Sequence, residues 1–482
     1  MSSNKQSSFK EESKKPNQQG SFIEGLKKPN GYVIIFSLVL IAMFLTWVIP
    51  SGAYDRIVDP ASGRTVVDSA SFKLIDNKTV GVFGMLQAIP RGIAASGSII
   101  AFIFIISGAI EIIRGTGALD AVILHLVKKM EGKDTLLLVF VTIIFTMLGA
   151  VFGFAEETIP FIPLVISMSL ALGYDRVVGF HIVRTAAWIG FAGAFLNPFT
   201  MGVAQSIAEL PLFSGMLFRI ICYVVFLAIG LIFILRYAKK VKADPKKSII
   251  YGYEGDRNPS DFELKDVGHL TTRHKMVLAV FAINIILLVY GTIQYGWYTT
   301  ELAALFLGLG LLAGIVGGFS PNQLARHMTK GMSGVTFGAL IVGFARAIVL
   351  ILEQGAILDT IVYGLSQPIM GLSASIAAVG MFIIQSLINF FIGSGSGQAA
   401  ATMPIMIPLS DVLGITRQTS VLAFQFGDGI TNMLWPSMIY YLAFADIPYG
   451  AWFKHISKLV LMLTGVGIIL VAVAQMIHYG PF

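Results

Sequence analysis

The sequence predicts an all-α polytopic membrane protein, an inverted repeat with two re-entrant hairpins, two broken helices and about nine full spans. Three observations carry that prediction. Mean hydropathy is +0.78, with 55% hydrophobic and only 13% charged residues over 482 positions, whereas a soluble domain carries about 25% charged residues. Apolar runs of bilayer length recur along the chain. Two glycine-rich stretches, GAVFGFAEETIP at Gly149–Pro160 and GSGSGQAAATMP at Gly393–Pro404, then interrupt such runs at matching places. Gly149, Gly153, Ala155, Thr158 and Pro160 of the first fall on Gly393, Gly397, Ala399, Thr402 and Pro404 of the second. Unpaired peptide groups are expensive in hydrocarbon, so such breaks belong where they face protein or a wet cavity.

Taken in order, residues 1–30 are polar and rich in Ser, Lys, Gln and Asn, too long and too wet for the start of a signal peptide, and read as a disordered cytoplasmic tail. The first span is Tyr32–Pro50, followed by a polar loop at Ser51–Arg91, a span at Gly92–Ile113 and an amphipathic piece at Gly115–Lys129. Thr135–Phe154 and Ile159–Leu172 flank the first glycine break, where Thr158 is expected to cap the restarting helix with Pro160 in its first turn. A span carrying His181 and Arg184 is expected to break at Asn197-Pro198 and resume to about Ala208, before Leu212–Leu235. Arg184, in the first turns of its span, is read as snorkelling to the cytoplasmic surface.

The polar, basic segment Arg236–Lys275 divides the chain. Beyond it come Met276–Tyr295, Glu301–Phe319, a loop with Arg326, His327 and Lys330, and Gly334–Leu352 with Arg346 inside it. Glu353–Ser366 mirrors the earlier amphipathic piece. Gly371–Ile392 and Met403–Leu409 flank the second break, with Thr402 as the expected cap. A span from about Ser420 is expected to be interrupted from Phe426-Gly427-Asp428-Gly429 through Asn432 and Trp435-Pro436 and to end at Ala445-Asp446-Ile447-Pro448, and His455–Ile477 is the last.

Collinear matches set the domain plan. Gly92 to Asp120 and Gly331 to Asp359 keep one spacing, the breaks correspond, and Ala208-Glu209-Leu210-Pro211 answers Ala445-Asp446-Ile447-Pro448. Residues 31–236 form the first repeat, 237–275 a cytoplasmic linker, and 276–482 the second repeat with one extra span. Basic residues collect on the side of the linker, including Lys128, Lys129, Lys133, Arg326, Lys330, Lys454 and Lys458, which puts the N-terminus in the cytoplasm, the C-terminus outside, and corresponding blocks facing opposite ways. Whether the two hairpins cross fully stays open, and orientation is the same either way.

Composition also excludes functions. The net charge of +7 sits in a few loops, where it sets topology and makes nucleic acid an unsuitable partner. No Walker A pattern occurs, so any driving energy comes from an ion gradient. One cysteine, Cys222, allows no intrachain disulfide, and the seven histidines show no ligand-like clustering. No cofactor is expected beyond Na⁺ or H⁺ as a coupling ion.

Chemistry concentrates at the breaks. Glu156 and Glu157 stand where ionisable groups mark substrate or ion paths, although acids beside a new helix start also merely complement its dipole. The second break offers Ser394, Gly395, Ser396, Gly397, Gln398 and Thr402, uncharged, with amides suited to a carboxylate. With Gly153 and Thr158, the two tips form a cradle for a zwitterion, its cationic group at the glutamates. Asp428, Asn432 and Asn197 could supply oxygens to Na⁺, and Asp428 or Glu156 could carry a proton; the alternative for Asp428 is a simple Asp-Gly turn. Arg346 lies deep enough to pair with an acid or meet substrate. An intramembrane protease would need Asp175 and Asp428 to meet, and Asp175 sits in a loop, so no enzyme is expected. A passive channel is the better rival.

At G-F-A-E-E-T-I-P-F, G-S-G-S-G-Q-A-A-A-T-M-P-I-M-I-P-L-S-D and F-G-D-G-I-T-N-M-L-W-P, the sequence resembles the YfcC-type branch of the ion transporter superfamily, relatives of anaerobic four-carbon dicarboxylate carriers and arginine/ornithine exchangers. The resemblance runs from Gly31 onward. It implies a scaffold domain, a transport domain with two opposed hairpins, a homodimer and an elevator movement. Where Na⁺-dicarboxylate members carry Ser-Asn-Thr tips, this chain has Ala-Glu-Glu-Thr and Ala-Ala-Ala-Thr. The expectation is a secondary transporter of the cell membrane moving an amino acid, in particular a basic one in exchange, with a dicarboxylate carrier as the alternative.

Overall fold

The computed structural model describes residues 31–58, 65–67, 71–129, 133–253, 270–295, 297 and 299–480. The tail at 1–30 and linker residues 254–269 lie outside them. Among the described residues five helices are long and apolar enough, by length and composition, to cross a bilayer, and four shorter apolar helices accompany them. Large apolar side chains such as Ile221, Ile232, Leu461 and Ile469 face outward, as they do when the surroundings are lipid. The chain is an all-α polytopic membrane protein.

The helices form two runs, one on each side of the linker. The first runs α1 (Gly31–Val48), α2 (Val82–Ala95), α3 (Gly97–Gly115), α4 (Ala118–Lys129), α5 (Asp134–Met147), α6 (Phe161–Ala171), α7 (Arg176–Phe180), α8 (Ala186–Ala192), α9 (Val203–Ile207) and α10 (Met216–Ala243). The second runs α11 (Thr272–Tyr295), α12 (Thr299–Val316), α13 (Pro321–Gly334), α14 (Thr336–Gln354), α15 (Leu358–Ser366), α16 (Ala374–Ile388), α17 (Gly395–Val412), α18 (Arg417–Thr431), α19 (Met438–Ala443) and α20 (Tyr449–Met476). From α2 the elements follow the order of those from α13, with α7 and α8, joined by a π turn at His181–Thr185, together in the place of α18, and their corners agree in conformation. Glu209 and Asp446, both non-glycine, take positive φ of 56° and 50°, and Gly173 and Gly414 take 80° and 67° after α6 and α17.

Several expectations change. The loop at Ser51–Arg91 holds two short antiparallel pairings, Gly52–Ala53 with Lys73–Leu74 and Arg56–Val58 with Thr65–Val67, before α2 begins. The loop around Arg326 is a helix, because Ser320 and Gln323 form a reciprocal capping box with Pro321 in the first turn. Helix α10 continues through Ala243 and α11 starts at Thr272, so both ends of the linker expected at 237–275 are helical. Asp428 lies inside α18 rather than in a turn; that span breaks only after Asn432.

Two bodies result. Helices α1, α2 and α14 pack together, and α3 packs against α12 and α13; separately, α5 to α10 pack with α16 to α20. Contact between α14 and α19 joins the two bodies. Within the second body the broken spans clasp each other at both ends. Arg176, opening α7, donates to the Ala445 carbonyl at 3.4 Å and pairs with Asp446 at 3.3 Å. Arg417, opening α18, donates to the Ala208 carbonyl at 3.0 Å and pairs with Glu209 at 2.7 Å. The start of each span therefore meets the end of the other, and the two run antiparallel.

Candidate functional site

At the first tip α5 passes through a π turn, Leu148–Phe152, and stops at Gly153, whose φ is +68°. A Cβ there would lie 2.5 Å from Asn197 Oδ1, so only glycine fits without strain. The backbone then makes a single 3₁₀ turn, Glu156–Thr158, before α6. Thr158 does not cap α6: its hydroxyl donates back to the Ala155 carbonyl at 2.6 Å. Glu157 is buried, and its carboxylate accepts the Ala155 N–H at 2.8 Å.

Arg184 completes this tip. Rather than reaching the surface it is fully buried, donating Nη1 to the Ala155 carbonyl at 2.5 Å and to Thr158 Oγ1 at 3.0 Å. Its guanidinium carbon lies 3.2 Å from the centroid of the Tyr441 ring and 4.3 Å from that of Trp188, a cation–π arrangement worth most when desolvated. Among the described residues Nε and Nη2 have no hydrogen-bond partner. Glu156 is only half-buried and accepts the Tyr440 hydroxyl at 3.3 Å. Two carboxylates and one guanidinium thus share the tip, one formal negative charge in excess.

The second tip restarts earlier than its threonine suggests. Helix α16 ends at Ile388, and Ser394 caps α17, its Oγ accepting the Gly397 N–H at 3.4 Å. Thr402 lies within α17, accepting from Gln385 Nε2 at 2.9 Å, and Gln398 donates to Gln385 Oε1 at 2.7 Å. Both serve the α16–α17 contact. Gly395 is pressed against the broken spans: a Cβ there would lie 2.5 Å from Thr200 Cγ2 and 2.8 Å from Asp428 Oδ2.

Both tips open on one cavity of about 480 Å³, in the range of small-molecule sites. Gly153, Glu156 and Glu157 face Ser394, Gly395 and Ser396 across it, while α1 and α14 supply the far wall, including Arg346. Arg346 is 42% exposed and 4.0 Å from Glu353. Of the other expected residues, Thr158, Asn197, Gly397, Gln398, Thr402, Asp428 and Asn432 lie behind the wall. Arg184 stands behind Tyr441 and Trp188, which do line it.

Behind Gly395 sits an oxygen-rich cluster. Asp428 is fully buried; Oδ1 accepts from Asn432 Nδ2 at 3.2 Å, and among the described residues Oδ2 has no partner. Thr200 Oγ1 and Asn389 Oδ1 are buried without partners as well. Asn197 spends Oδ1 on the Phe199 and Thr200 amides, capping the turn before α9. Asn389 Nδ2 donates to the Asp428 carbonyl at 2.9 Å, to Thr431 Oγ1 at 2.8 Å and to Asn432 Oδ1 at 3.2 Å. Asp175, the other carboxylate a protease would need, instead caps α7 and accepts from Tyr237 and Ser248 at 2.6 and 2.7 Å.

Tyr440, Tyr441, Trp188, Thr200 and Asn389 escaped the sequence reading, and Arg184 was noticed but put at the surface. One signal was present for Arg184: its own helix offers no acid one turn away, so a partner had to come from another segment.

Residues 29–476 match the family described as DcuC, C4-dicarboxylate anaerobic carrier. YfcC of Escherichia coli K12, provisionally named a basic amino acid antiporter, is 33% identical over 93% of this chain and 96% of its own. Among solved structures, the YdaH transporter of Alcanivorax borkumensis matches with 15% identity and a TM-score of 0.43, covering 94% of this chain and 99% of that one. The antimetabolite efflux pump MtrF of Neisseria gonorrhoeae matches with 18% identity and a TM-score of 0.44, covering 93% and 95%. Likenesses that distant carry no argument, but the family match spans nearly the whole chain: it is a membrane transporter and belongs to the C4-dicarboxylate anaerobic carrier family.

Proposed function

We propose that this transporter is a secondary carrier of the cell membrane that moves a basic amino acid, in exchange for another, through the cavity between the two tips. One observation carries the reading: the first tip holds two glutamates against one arginine, and the less buried glutamate, Glu156, faces the cavity. A dianion would be repelled there, whereas an ammonium or guanidinium supplies the missing positive charge. The opposite tip, with Ser394 as cap and the first amides of α17 free of helical partners, suits the α-carboxylate. The provisional name of YfcC points the same way.

Coupling is assigned to the cluster behind Gly395. Asp428 Oδ2, Thr200 Oγ1 and Asn389 Oδ1, all buried and unpartnered, would accept Na⁺ or, at Asp428, a proton. The N-terminus and the linker are placed in the cytoplasm, where Lys239, Lys240, Lys454 and Lys458 gather, and the functional unit is taken to be a homodimer.

A second reading, a four-carbon dicarboxylate carrier, is favoured by Arg346 at the cavity wall and by the family's description. Counterflow in proteoliposomes separates the two: labelled arginine and ornithine exchange while succinate and fumarate do not. Succinate exchange without arginine exchange would overturn the first reading. Repeating the assay under Na⁺ and pH gradients identifies the coupling ion.

A further inference from the structure

We propose that a groove between α10 and α20 is a binding site for an anionic phospholipid such as phosphatidylglycerol. The groove, about 410 Å³, lies apart from the substrate cavity. Its rim carries Arg236, Lys240 and Lys458, all exposed, and no carboxylate lines it. Nearby Lys242 and Lys247 are paired with Asp134 and Asp244; among the described residues the three rim cations have no ion-pair partner.

Helical spacing gives the groove its polarity. Ile232, Arg236 and Lys240 follow one another at four-residue intervals along α10, and Lys458 and Met462 do so along α20, which places each set on one face. Because α10 runs toward the basic linker and α20 starts on that side, the cations lie level at one end and Ile232, Phe233 and Met462 level below them. The floor is firm, since the His455 ring packs on those of Tyr237 and Phe233 with centroids 4.6 and 4.9 Å away. A phosphate at the rim with acyl chains against the apolar wall satisfies both ends, the arrangement of basic pockets between membrane helices that hold lipid headgroups. A free anion would leave the apolar wall unused.

The test is native mass spectrometry of the full-length protein released from vesicles containing phosphatidylglycerol or phosphatidylcholine. Retention of phosphatidylglycerol is expected to exceed that of phosphatidylcholine by about tenfold or more. The variant R236Q/K240Q/K458Q loses that preference, while K239Q/K246Q/K247Q, which removes equal charge outside the groove, keeps it. Glycerol phosphate in solution leaves the bound lipid in place. Equal retention by the groove variant, equal loss in the outside variant, or displacement by glycerol phosphate each overturns the assignment. Should the triple variant aggregate, the single Lys458→Glu substitution decides: it must lower retention in a protein that elutes and melts like the parent, and unchanged retention counts against the site.

Discussion

Glu156 and Glu157 are neighbours with different work. Glu157 is buried beside Arg184, and both hold the same residue, the acid at the Ala155 N–H and the base at its carbonyl. Glu157→Gln exchanges the charge-assisted bond to the Ala155 N–H for a neutral one and is expected to cost about 1–2 kcal/mol, read as a lower melting temperature in detergent. Glu156→Gln removes a half-buried charge whose one hydrogen bond is to Tyr440; it leaves the melting temperature unchanged and raises KM for arginine about tenfold or more. An equal loss of stability in both variants would contradict the division of labour. Asp428→Asn, which removes the unpartnered charge behind Gly395, abolishes accumulation driven by the coupling gradient but preserves exchange, as uptake and counterflow run in parallel would reveal. The glutamates were visible in the sequence because acids are rare in apolar runs. Arg184 was misread because position along a helix does not say which way a side chain turns, and here the ring of Trp188, one turn on along the same span, and that of Tyr441 from the other half hold it inside.

At the level of elements, the glycine breaks were legible because glycine clusters in apolar runs mark irregular backbone, but the restart of α17 was not. Thr402 and Pro404 look like a cap and a first turn; in fact Gln385 and Gln398 hold Thr402 in place within a helix that began at Gly395. Ser394→Ala should then cost about 1 kcal/mol as the loss of a cap, and Gly153→Ala about 1–2 kcal/mol for a left-handed residue pressed on Asn197, both measurable by thermal unfolding. If Ser394→Ala is silent, the cap is not what starts the helix. The glycines around Asp428 misled in the opposite sense. A Cβ on Gly427 would lie 2.5 Å from Gln385 Cβ, and one on Gly429 2.4 Å from Ala192 Cα, so they permit close packing of an unbroken helix instead of ending it.

For the molecule as a whole, the order of segments and the recurrence of corners could be read from spacing, since Glu209 and Asp446 were already matched. The division into two bodies could not, because it joins α2 to α14 and α5 to α8 across long stretches of chain. An elevator movement requires those bodies to slide at the α14–α19 contact. There a Cβ on Gly338 would stand 3.3 Å from Ala443 Cβ, close to the spacing a disulfide accepts. The double variant Gly338→Cys, Ala443→Cys should lose transport on oxidation and regain it on reduction, measured by arginine counterflow; full transport in the oxidised protein rules out sliding at this contact. The reciprocal clasps carry a consequence for fragments of the chain. Severed in the linker, the first piece would keep Arg176 without Asp446, and the second would keep Arg417 with Asp411 but without Glu209, so either alone is incomplete. The pieces produced together should find one another without a covalent tether and restore uptake, and a lone piece could satisfy both clasps only by pairing with an upside-down twin.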